Sequence, residues 1–138
     1  MSETLYNDIR SALMARLADM PDLPDVAGEN KEYRPVVGTP YLLPSVMWAE
    51  GSQAELGESG RNWERGIFQV MCVYPDDSGV SAVNTMAGKL REWFKRGTVL
   101  SYNGVDVTIR KVYLGPLMIE SVSVKQPVSI AFYCQAAN

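Results

Sequence analysis

Histidine is absent from this chain of 138 residues. That removes every Ser-His-Asp or Cys-His nucleophile and every histidine-ligated metal centre that the chain could build from its own side chains. Cysteine is scarce. Cys72 and Cys134 each sit inside a strand-like run, which reads as two buried free thiols. A disulfide would require those two strands to be neighbours and the compartment to be oxidising. No apolar run approaches the ~20 residues that span a bilayer. The opening "MSETLYNDIR" lacks a basic stretch followed by an apolar one, so neither a membrane span nor a secretory signal is expected. Internal repeats and low-complexity segments are missing too.

What remains is the composition of a folded domain. Apolar residues make up 46% of the chain. The length fits one domain over residues 1–138 that buries roughly two thirds of its unfolded surface. Charge is unevenly spread. Residues 1–85 hold 6 Lys and Arg against 13 Asp and Glu, a balance of −7, and residues 86–138 hold 7 against 3, a balance of +4. An acidic half and a basic half can present complementary patches, which suits head-to-tail self-association better than binding to duplex DNA.

Residues 4–20 read as an amphipathic helix, with Leu5, Ile9, Ala12, Leu13, Leu17 and Met20 recurring at three and four spacing, Ser2 or Thr4 as cap and Pro21 as stop. Pro35, Pro40 and Pro44 forbid a helix over 25–49, yet Tyr41 to Trp48 can form a strand in which Pro44 points to an edge or a bulge. Glu50 to Asn62, small, polar and Gly-spaced, reads as a long mobile loop or hairpin tip. Trp63 to Tyr74 alternates only loosely, as a central strand covered on both faces would.

A second helix is expected from about Gly79 to Arg96, on Val80, Val83, Ala87, Leu90 and Phe94. Gly97 would be its left-handed cap, Lys89, Arg91, Lys95 and Arg96 would sit in its last turns, and Gly88 would mark close packing. "VLSYNGVDVTI" signals a hairpin with a type I′ turn at Asn103-Gly104. The apolar pattern then shifts by one, which places a bulge near Arg110-Lys111. A last strand runs from Val128 to Gln135. The order predicts an α+β fold: a largely antiparallel (mixed) sheet of about four to five strands with two helices on one face.

Three constellations invite chemistry. "VYPDDSGVSA" places Asp76, Asp77 and Ser78 ahead of a helix. Paired carboxylates suit Mg²⁺ or Ca²⁺, but this turn alone supplies too few oxygens, and a phosphate loop needs glycines and a lysine that are not there. Capping of the first helical amides accounts for the turn. Tyr33, Tyr41, Trp48 and Trp63 lie near Arg34, Arg61 and Arg65 and could stack single-stranded bases; the acids of the same half oppose it, and packing explains the rings. No motif fixes a Ser-Lys pair from Lys89 with Ser78 or from Lys125 with nearby serines.

Three stretches, "ENKEYRPVVGTPYL" (Glu29–Leu42), "ERGIFQVMCVYPDDSGVSAVNTMAGKLREWFKRG" (Glu64–Gly97) and "KQPVSIAFYCQ" (Lys125–Gln135), carry a resemblance. In that order and spacing the chain resembles the tail-completion proteins of long non-contractile phage tails, including the tail terminator and its prophage relatives. The resemblance covers nearly the whole chain. It implies an α+β subunit closing into a ring, usually of six, that caps the tail tube and faces the head connector. Its implied partners are its own copies, the major tail tube protein and the head-tail connector protein. It implies no catalytic residues, no cofactor, no membrane and no specific nucleic-acid binding, and a place in the virion tail after assembly in the host cytoplasm.

The charge pattern supplies a candidate interface for such a ring: Glu50, Glu55, Glu58 and Glu64 in the tip loop of one copy against Lys89, Lys95, Arg96, Arg110 and Lys111 of the next. Two other readings stand beside it, a small metal-dependent hydrolase using Asp76 and Asp77, and a monomeric module that extends its sheet with a partner strand.

Overall fold

The computed structural model describes residues 3–28, 38–49, 52–53, 61–76 and 79–137. In chain order the elements are α1 (Leu5–Ala18), β1 (Asp25–Val26), β2 (Tyr41–Trp48), β3 (Ser52–Gln53), β4 (Arg61–Pro75), α2 (Gly79–Trp93), β5 (Val99–Tyr102), β6 (Val105–Leu114), β7 (Met118–Ile119) and β8 (Ser123–Ala137). The fold is α+β as expected, with more strands than four to five. The sheet order is β1-β2-β4-β8-β6-β5, with β3 on β4 and β7 on β8. Among the described residues only β1 and β2 run parallel. The excess comes from β1, β3 and β7, each two residues long, which no periodicity can announce.

The first helix buries Leu5, Ile9, Ala12, Leu13, Leu17 and Met20, the stripe read from the sequence. Thr4 stands at its N-cap but makes no cap hydrogen bond. Its hydroxyl donates instead to Oδ2 of Asp8 at 2.9 Å. Asp8 is buried, and the same oxygen accepts from Asn103 Nδ2 at 3.2 Å. A charge-assisted contact therefore ties α1 to the hairpin turn. That turn is type I′, with φ of 49° at Asn103 and 79° at Gly104.

Pro44 pairs with Val70 in a regular register and needs no bulge. Leu42 turns its carbonyl away from β4, to the Ala27 N–H at 2.8 Å. Pro44, two residues on, presents its missing N–H to the same side, beyond the reach of the two-residue β1, so no ladder bond is lost.

Several expectations change at the second helix and the central strand. α2 ends at Trp93, three residues short of Arg96. Gly97 has a φ of 88°, but its N–H donates to Ile109 O at 2.8 Å, so it hands the chain to the hairpin rather than closing the helix. Lys95 and Arg96 follow the helix instead of filling its last turn. Gly88 is exposed, and a Cβ built on it meets nothing within 4 Å beyond its own helix backbone and chain neighbours, so it marks no close packing among the described residues. β4 is central in the sheet, yet among the described residues the helices cover one face of it. Phe68, Val70 and Cys72 are buried under them, while Ile67, Gln69 and Met71 opposite are half-buried.

The core lies between that covered face and the helices. Phe68, Phe94, Phe132, Leu90, Val128 and Ile130 fill it. Gly66 is required there for space. A Cβ at this position would lie 2.7 Å from Met47 O and 2.7 Å from Cζ of Phe132. The helix ends are clamped reciprocally. Arg16 donates to Trp93 O from Nη2 at 2.8 Å and Nε at 3.2 Å, Trp93 Nε1 donates to Arg16 O at 2.6 Å, and the guanidinium lies 3.9 Å from the indole centroid. The guanidinium stacked on the indole thus serves packing between the two helices.

Candidate assembly surfaces

The basic residues singled out in the sequence separate into three places. Arg91, Lys95, Arg96 and Lys111 line one hollow of about 410 Å³ beside Glu92 and Val112. Lys89 borders another, of about 430 Å³, with Met20, Pro21, Gly88 and Trp93. Arg110 joins Arg65, Trp63 and Tyr133 around a third, of about 280 Å³. The bulge decides the split. The register of β6 on β8 jumps between Ile109 and Lys111, which leaves Arg110 without a partner position and aims neighbouring cations into different hollows.

The third hollow could not be read from the sequence, because Tyr133 lies far along the chain from Trp63. The pairing of Arg65 with Tyr133 across β4 and β8 assembles it. The Trp63 and Tyr133 rings meet edge to face at 5.2 Å. Two guanidiniums beside two aromatic rings is the composition that dominates binding energy at protein interfaces. No ion pair engages either arginine among the described residues.

The acidic side is less open. Glu50, Glu55 and Glu58 lie outside the described residues, as do Asp77, Ser78 and most of the expected mobile segment. Glu64 is described, and it is not in a tip loop. It lies within β4 opposite Cys134, is half-buried, and accepts a hydrogen bond from the Tyr6 hydroxyl at 3.4 Å. The Glu64 charge, then burial, then that hydrogen bond push the Tyr6 phenol above its ordinary pKa. Tyr6 packs on Trp48 at 4.8 Å and Trp48 on Phe132 at 5.9 Å, so this corner is an aromatic seam between α1 and the sheet.

Asp76 is exposed, and its N–H donates to Val122 O at 3.2 Å. Among the described residues no three Cys, Asp or Glu side chains converge as a metal site. The two thiols are free and buried, one on β4 and one on β8. Burial raises Cys72 to about 12. Burial, then the charges of Glu64 and Asp106, raise Cys134. Thiols held in the neutral form are poor nucleophiles at neutral pH. Among the described residues no helix is long and apolar enough to cross a membrane.

The comparisons fit a protein whose noteworthy features are surfaces. No curated protein matches the chain. A solved structure superposes with a TM-score of 0.74 at 27% identity, over 94% of this chain and 94% of its own. The sequence model of the family described as phage tail terminator protein matches residues 8–132. A match over that much of the chain carries a structural, non-enzymatic role in the virion tail, in contact with other virion components. The chain belongs to the phage tail terminator protein family.

Proposed function

We propose that the protein assembles into a ring, usually of six copies, that caps the finished tail tube and forms the tail side of the head-tail junction. Its partners in this reading are its own copies, the major tail tube protein and the head-tail connector protein, and it assembles in the host cytoplasm. The observation that carries the proposal is the family match over residues 8–132.

The surface chemistry supports it. A closed ring needs heterologous contacts, in which one patch meets a different patch. The hollow of Arg91, Lys95, Arg96 and Lys111 offers four cations against one carboxylate, Glu92. Acidic residues Glu50, Glu55 and Glu58 of a neighbouring copy supply the complementary sign. Exposed pairs contribute only about 0–1 kcal/mol each, so they set orientation and encounter rate more than affinity. The oligomer in solution is therefore weak and concentration-dependent, and the tube end completes it.

The test is tail assembly with and without the chain. Tails made without it are expected to lose their fixed length and fail to join heads. Purified chain is expected to restore both and to sit as a ring at the tube end in electron micrographs. Tails of normal length that join heads in its absence would rule the role out.

A further inference from the structure

We propose that the hairpin tip between β7 and β8 is a knob that seats in the apolar hollow along the last turns of α2 in a second copy of this chain. The proposal rests on the ring reading above and names a contact that builds the ring.

The knob comes first. Ile119 is 68% exposed and Val122 78%, the highest values for large apolar side chains among the described residues. Both belong to one tight hairpin. Ile119 pairs with Val124, the Glu120 N–H donates to Ser123 O at 2.8 Å, and Lys125 Nζ lies 3.3 Å from Glu120 Oε1. Val122 O is held by the Asp76 N–H. The hairpin thus presents two apolar side chains, Ile119 and Val122, to water from a held backbone. Rigid apolar groups lose little entropy on docking.

The hole has an independent mark. Met20, Pro21, Gly88 and Trp93 line a hollow of about 430 Å³, rimmed by Asp22, Lys89 and Glu92. Gly88 sits mid-helix, where glycine costs about 1 kcal/mol relative to alanine. Among the described residues, nothing beyond its own helix backbone and chain neighbours comes within 4 Å of where its Cβ would stand. The missing side chain leaves room that only an outside group can use. Its rim offers Lys89 to the tip's Glu120, and Asp22 and Glu92 to its Lys125.

The placement makes the contact intermolecular. Asp76, which holds the tip, lies just before α2, whereas the hollow follows the helix's last turns. At 1.5 Å per residue, Gly88 and Trp93 lie about 14 and 21 Å along the helix from Gly79. The tip therefore does not reach the hollow of its own chain. Knob and hole on different parts of the surface give a head-to-tail contact, which can close into a ring.

Cysteine cross-linking tests this directly, since Cys72 and Cys134 are buried. The double variant Gly88→Cys with Val122→Cys, oxidised by copper phenanthroline, is expected to give a ladder of disulfide-linked multimers. Mixing the two single variants is expected to give one heterodimer and no ladder, because only one productive junction forms. Val122→Asp and Gly88→Leu, which both suit the isolated subunit, are each expected to raise the concentration for half-assembly at least ten-fold. If the double variant gives no more than its singles while the wild-type chain still forms rings on tail tubes, this contact is wrong and the ring reading stands. If the wild-type chain neither oligomerises nor caps tubes, both fall.

Discussion

The two faces of β4 and β8 are built from the same strands and do different work. Beneath the helices stand Phe68, Val70, Cys72, Val128, Ile130 and Phe132, all essentially inaccessible to solvent. On the other side, alternating with them, Trp63, Ile67, Gln69, Met71 and Tyr133 are half-buried, while Val73, Ser129 and Ala131 are buried. The first set is uniformly apolar and belongs to the buried core cluster. The second mixes aromatic, aliphatic and amide groups and leads to the Arg65 and Arg110 hollow. The first face fixes the subunit. The second, like the hollows at the end of α2, keeps side chains within reach of solvent.

Removing a group from the covered face should have the largest effect. Phe68→Ala deletes a ring packed 5.8 Å from Phe94 and is expected to cost about 3–5 kcal/mol. Met71→Ala on the opposite face should cost about 1 kcal/mol or less, since it is already partly in water. Urea denaturation of both variants checks the contrast. Equal losses would show that the second face is also packed within a single chain.

The covered face depends on the clamp that holds the helices over it. Trp93→Phe removes the donor to Arg16 O and the larger ring under the guanidinium, while keeping an aromatic side chain. A loss of about 1–3 kcal/mol is expected, with the Arg16 carbonyl left short of a partner. Arg16→Met should lose a similar amount, and the double variant less than the sum, because the two residues act as one unit. Strict additivity in that cycle would mean that the reciprocal bonds contribute nothing jointly.

Much of this architecture is legible in the sequence. β2 matches Tyr41 to Trp48, the type I′ turn falls at Asn103-Gly104, and the bulge falls beside Arg110. Each rests on a local signal: a proline-bounded apolar run, two residues that tolerate positive φ, a one-residue slip in alternation. The failures share a different cause. β1, β3 and β7 exist only because a partner strand is beside them. The helix stops at Trp93 because Arg16 takes the Trp93 carbonyl and the Ile109 carbonyl takes the Gly97 N–H, and no helix propensity records that. The bare face of β4 was hidden because Ile67 and Met71 are as apolar as their buried neighbours. The Trp63, Arg65, Arg110 and Tyr133 hollow needed the β4–β8 register, which no pattern in a single sequence supplies.

Cys72 distinguishes the faces by titration. Its folded pKa is raised from 9.0 to about 12 by burial. Above pH 9 the unfolded chain loses this proton and the folded chain keeps it, so the folded state binds more protons and stability falls as pH rises. The contribution is fully present below pH 9 and is lost as pH climbs through the window to about 12. Cys72→Ala should be less stable at pH 7 through the cavity it leaves, yet its stability should decline less steeply from pH 9 upward. Chemical denaturation at a series of pH values measures both. Parallel slopes in the two proteins would mean that the thiol ionises while the chain is folded.

The smallest effect on the fold is expected where assembly should suffer most. Lys95 and Arg96 are exposed, lie past the end of α2 and make no ion pair among the described residues. Reversing both, Lys95→Glu with Arg96→Glu, should move stability by no more than about 0.5 kcal/mol, because no buried contact is lost. The same change puts two carboxylates beside Glu92 in a hollow that otherwise holds Arg91 and Lys111. An acidic segment of a neighbouring copy would then meet like charge, which slows encounter and disfavours the right orientation. Salt should narrow the gap between variant and wild type, because screening over about 10 Å at 0.1 M acts on exposed charges. Sedimentation at two ionic strengths, with tail length as the functional readout, decides it. Unchanged assembly at low salt in a variant of normal stability would remove this hollow from the interface, and would leave the Ile119–Val122 knob and the Arg65–Arg110 hollow as the surfaces to probe.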